Sequence, residues 1–128
     1  MIGYQMVGTN KFNESAAFYD ALLGELGAKR MMEDEGKFIA WAVEPGQPAF
    51  SICRPHDGKD ATVGNGGMTA FAVGTPEMVD KMYTKAIELG GTCEGPNGPR
   101  GEGGFYAGYF RDPDGNKCNF FSMTAPTG

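Results

Sequence analysis

FYDALLGELG, residues 18–27, returns in altered form as MYTKAIELGG, residues 82–91. Each copy places a tyrosine early, follows it with apolar residues at helical spacing and stops at Glu-Leu-Gly. Phe18, Leu22 and Leu26 share one face of the first copy, and Val79, Met82, Ala86 and Leu89 make the same stripe in the second. Gly27 and Gly90 stand where the end of a helix favours a left-handed residue. The starts are also written in the sequence: Asn13 with Glu14 for the first helix, and Thr75-Pro76-Glu77 for the second, an N-cap followed by proline.

Working outward, a strand precedes each helix, IGYQMVGT at 2–9 and GMTAFAVG at 67–74. Three short strands follow each one, over 28–33, 37–44 and 48–54 and over 91–94, 104–111 and 116–122. The closing hairpins match at an offset of 68, which lays Pro45-Gly46-Gln47-Pro48 over Pro113-Asp114-Gly115-Asn116. Asp114-Gly115 is a two-residue hairpin signal. Each half therefore reads as βαβββ, and the fold class as α+β. The expectation is one domain over 1–128, with module one at 1–63, module two at 67–128 and the link GNGG at 64–67. A half of this size leaves one sheet face uncovered, so the two halves are expected to meet.

Composition narrows the function. The chain has 128 residues, 41% of them hydrophobic and 21% charged, which is ordinary for a globular protein. A formal charge of −5 argues against a nucleic-acid partner, because no cluster of Lys and Arg answers a phosphate backbone. It mildly favours neutral or cationic small ligands, beside the plain reading of solubility. No run approaches a membrane span and no signal segment opens the chain, so the expected location is cytoplasmic. Cys53, Cys93 and Cys118 are odd in number and unpatterned, which suits neither a disulfide framework nor a zinc site. Eight of the 21 glycines fall in the link and in GPNGPRGEGG at 95–104, which reads as a mobile loop.

The duplicated modules, the FYDALLGELG helix and the turn DPDGN at 112–116 together resemble the vicinal-oxygen-chelate superfamily. That group includes glyoxalase I, bleomycin-resistance proteins, extradiol dioxygenases and methylmalonyl-CoA epimerase. The resemblance covers essentially the whole chain. It implies a partly open eight-stranded barrel around a cleft, and a homodimer. In metal-dependent members, His and Glu or Gln on the first and fourth strands of each module hold a divalent ion that chelates the substrate. The resemblance carries those positions onto Tyr4, Ser51, Met68 and Asn119. A phenol, a hydroxyl, a thioether and an amide do not suit nickel, zinc or manganese, so no metal and no cofactor is expected.

Strand alternation then lines the cleft with Tyr4, Met6, Ala49, Ser51, Cys53, Met68, Ala70, Lys117, Asn119 and Phe121. Val7, Phe50, Ile52, Phe71, Val73, Cys118 and Phe120 face the helices, and Gln5 breaks the pattern. Trp41 and Tyr109 are expected to face the cleft, although aromatics on strands also simply fill barrels. Arg100 and Glu102 are the charges of the glycine-rich stretch, read either as a lid gripping a carboxylate or phosphate or as a solvated loop. His56 reads as a loop residue, with a pairing to Cys53 as the sharper alternative. Candidate ligand contacts are thus Tyr4, Met6, Trp41, Ser51, Cys53, Met68, Arg100, Tyr109 and Asn119. The expected function is metal-free binding of a small molecule, similar in principle to the bleomycin-resistance proteins. The rival is a lactoylglutathione-lyase-like or cofactor-free isomerase or lyase, with Tyr4, Cys53 or Glu102 as proton-transfer groups.

Overall fold

The computed structural model describes residues 1–123, so the last five residues of the expected module two lie outside the described residues. The chain divides into two compact units, Met1–Asn65 and a second beginning at Gly66, with the boundary inside the expected link. The first unit runs β1 (Tyr4–Gly8), α1 (Phe12–Gly24), β2 (Lys29–Asp34), β3 (Phe38–Ala42) and β4 (Ala49–Cys53). The second runs β5 (Thr69–Ala72), α2 (Pro76–Glu88), β6 (Thr92–Pro99), β7 (Phe105–Arg111) and β8 (Lys117–Met123). Both are βαβββ, and the fold is α+β. The strands form two separate four-stranded sheets, ordered β1-β4-β3-β2 and β5-β8-β7-β6, neither closed on itself. In each, the first strand runs parallel to the last, and the helix makes the crossover.

Helix α1 buries Phe12, Ser15, Ala16, Tyr19, Leu22 and Leu23, the three- and four-residue steps of one helical stripe. Tyr19 packs on Phe50 at 4.7 Å and on Trp41 at 5.7 Å between ring centroids. The second core stacks Phe71 on Phe120 and Phe120 on Phe110, under Val79, Met82 and Ala86 of α2. Gly108 is required for this approach: a Cβ there would meet Tyr83 Cδ1 at 2.8 Å.

The cap of α2 is as expected, with Thr75 Oγ1 accepting from the Met78 N–H at 3.1 Å. Helix α1 differs from expectation. It begins at Phe12, a residue before Asn13, with Lys11 at the cap position and no side-chain cap bond. The Lys11 N–H is instead taken by Thr9 Oγ1 at 3.0 Å. Gly27 and Gly90 both have positive φ, +83° and +104°, as helix ends require.

Two loop expectations need correction. The Asp114-Gly115 turn is not a two-residue hairpin loop, because β7 and β8 stop pairing at Arg111 and Lys117. The five residues between them are organised by Asp112, whose Oδ1 accepts from the Asp114 and Asn116 N–H groups, each at 2.9 Å. The glycine-rich stretch is not a long loop either. β6 continues through it to Pro99, with irregular register at Cys93/Gly95 and Gly95/Gly98. Asn97 and Tyr106 both donate to Asp80 Oδ1 of α2, at 2.5 and 2.7 Å, which pins this end of the sheet to the helix.

Candidate functional site

Each sheet has one face packed on its helix and one helix-free face. Register decides which residues share the helix-free face. In the first sheet Tyr4 pairs with Ala49 and Met6 with Ser51, while Ala40 pairs with Ser51 across β3 and β4. Tyr4 and Met6 are well exposed, at 68% and 42%, whereas Ser51 is 1% exposed. Cys53 shares this face and is half-buried. Burial pushes its thiol above the ordinary range, and no hydrogen bond joins it to His56, which lies exposed in the turn beyond β4. Both observations oppose a nucleophilic thiolate.

Trp41 does not belong to this face. It pairs with Phe50, stands 2% exposed against α1 and donates its Nε1–H to Asp20 Oδ1 at 2.8 Å. Asp20 also takes a bidentate contact from Arg30, at 2.9 and 2.6 Å, and this guanidinium holds its carboxyl below the usual range. The expectation failed for a physical reason. Six residues, 43–48, join β3 to β4, whereas five, 112–116, join β7 to β8. The fourth strands match at 68, but this extra residue makes Ala40 the counterpart of Tyr109, and one residue of slip reverses the face.

In the second sheet Asn119 is flanked by Ala70 on β5 and Tyr109 on β7. Lys117 and Phe121 lie two residues away on the same face. Asn119 is 1% exposed, and its Oδ1 has no hydrogen-bond partner among the described residues. Tyr109 meets two cations: Arg100 Cζ lies 5.4 Å and Lys117 Nζ 5.6 Å from its ring centroid. Arg100 folds back and donates to the carbonyls of Pro96 and Gly98 at 2.6 and 3.0 Å, so it is not a free arm on a lid. Glu102 stands exposed in the short turn between β6 and β7. Met68 lies just before β5, 43% exposed. Alternation puts Lys117 on the face of Asn119, and its contact with Tyr109 follows from the β7–β8 register.

Of the four positions suggested by the family resemblance, Tyr4 and Ser51 share the helix-free face of the first sheet, Asn119 lies on that of the second, and Met68 precedes β5. Their donors are neutral. Among the described residues no three His, Cys, Asp or Glu side chains come together as a metal-holding group. The donor set therefore does not fit a divalent ion.

Residues 2–120 match the model of the Glyoxalase/Bleomycin resistance protein/Dioxygenase superfamily. The chain belongs to this superfamily. A glyoxalase/bleomycin resistance protein from Albidiferax ferrireducens is 38% identical, with a TM-score of 0.85 over 97% of this chain and 99% of that one. Lactoylglutathione lyase from Agrobacterium tumefaciens is 18% identical, with a TM-score of 0.71 over 95% and 92%. A fosfomycin resistance protein from Listeria monocytogenes, solved with Mn(II) and a dihydroxypropylphosphonic acid, is 18% identical, with a TM-score of 0.73 over 97% and 90%. These last two share the fold alone. No curated protein matches the chain.

Proposed function

We propose that this superfamily member is a homodimeric protein that binds a small molecule on its helix-free sheet faces without the metal centre of its metal-dependent relatives. The observation that carries the reading is Asn119. A buried amide oxygen with no donor costs about 1–3 kcal/mol, and a ligand O–H or N–H would satisfy it. A carboxylate at that position would serve an ion; an amide serves a hydrogen bond. On the first sheet Tyr4 and Met6 supply apolar contact beside Ser51, and on the second Phe121 does so beside Asn119.

The test is a thermal-shift screen of a small-molecule library in excess EDTA, with hits titrated calorimetrically. The expected result is saturable, stoichiometric binding unchanged by added zinc or manganese. Binding that appears only after metal is restored would refute the reading.

A further inference from the structure

The helix-free face of the second sheet carries a concentration of positive charge that the acidity of the whole chain conceals. Arg111 and Lys117 are direct partners across β7 and β8, and Tyr109 stands on the same face, opposite Asn119. Arg100 reaches the Tyr109 ring from the end of β6. Among the described residues one carboxylate answers these three cations: Glu94, engaged with Arg111 Nε at 2.6 Å. The carbonyls of Pro96, Gly98 and Pro99 hold the Arg100 guanidinium in place without neutralising it. Asp112, in the adjoining turn, accepts at Oδ1 from two backbone N–H groups and at Oδ2 from Asn116 Nδ2. Three cations against Glu94 leave this corner positive in a chain whose formal charge is −5.

The ring face of Tyr109 offsets part of the repulsion between Arg100 and Lys117. Among the described residues neither cation has a carboxylate within ion-pair distance, Glu94 acting on Lys117 only at longer range, and an anion would fill that role for both. Asn119 adds direction. It lies about 7 Å along the strand from Lys117, on the same face. Its Oδ1 is buried and, among the described residues, without a donor.

We infer that this face takes a small organic anion that also carries an O–H or N–H donor. The anionic group sits at Lys117 and Arg100, the donor meets Asn119 Oδ1, and the carbon body lies against Tyr109. The inference rests on the small-molecule-binding reading above and narrows the ligand class. It reverses the preference suggested by net charge.

The probe is 4-hydroxyphenylacetate, titrated calorimetrically in low salt with EDTA beside its neutral amide and beside phenylacetate. The acid should bind about tenfold tighter than the amide, and the Arg100→Gln/Lys117→Gln double variant should erase that preference. Removing the hydroxyl should weaken binding about fivefold in the parent chain but leave the Asn119→Leu variant unaffected. Melting curves of each variant establish that it is folded. Equal binding of acid and amide, or a preference that survives the double variant, would overturn the anion inference while leaving the face a binding site. Failure of all three probes to bind the parent chain would also overturn it, whereas the broader reading stands or falls with the library screen.

Discussion

Asn119 and Trp41 are single residues whose surroundings assign them opposite roles. Asn119 keeps an amide oxygen buried without a donor, a feature that stability alone does not favour. Trp41 is fully engaged: its ring packs on Tyr19, and its N–H reaches Asp20. Trp41→Phe should therefore cost about 1–2 kcal/mol, from the lost hydrogen bond and some packing. Urea unfolding would show this as a lower midpoint at unchanged slope. Affinity for any ligand of the helix-free faces should stay within error. A large loss of affinity in a folded Trp41→Phe protein would return the indole to the binding face.

At the scale of elements, the turn after β7 combines two backbone hydrogen bonds, Asp112 N–H to Asn116 O and Gly115 N–H to Asp112 O, with the Asp112 carboxylate. Asp112→Ala removes the acceptor for the Asp114 and Asn116 N–H groups, at an expected cost of about 2–3 kcal/mol. Asp112→Asn, which keeps an acceptor oxygen, should recover part of that in the same urea experiment. The tie between α1 and β2 titrates. Asp20 is held below its ordinary value near 3.8 by Arg30, so its contribution is present above that value. It is lost as pH falls through the lower value of the folded state. The pair is partly exposed, so Asp20→Asn should cost about 0.5–1 kcal/mol at neutral pH and flatten the loss of stability below about pH 4. An acid limb as steep in Asp20→Asn as in the parent chain would count against this contact. These elements also show what sequence discloses. The helices and the eight strands were legible because stripe and alternation agree within each repeat, and because the Thr75 cap marks the start of α2. Three things were hidden: the extra residue between β3 and β4, the continuation of β6 through glycines, and the side-chain acceptor that organises the DPDGN turn. Each is set by pairing between strands or by a side-chain contact, which local periodicity does not encode.

On the scale of the whole molecule, two βαβββ units carry a superfamily fold, and the positions onto which the family resemblance carries the metal ligands hold neutral donors. Tyr4, Met68 and Asn119 came from the family resemblance and Ser51 from the repeat offset of 68; register keeps Tyr4 and Ser51 on one face, while Met68 lies just before β5. The positive corner around Tyr109 was not legible in the sequence, because Arg100, Arg111 and Lys117 come together only when β6, β7 and β8 pair. Among the described residues no helix is long and apolar enough to cross a membrane. The central claim is that the binding faces work without a divalent ion. Its most direct test is the metal content of the purified protein, before and after incubation with nickel, zinc, manganese and ferrous iron, with melting temperature followed alongside. The account predicts no stoichiometric metal and no shift in melting temperature; one ion per chain with a rise of several degrees would contradict it.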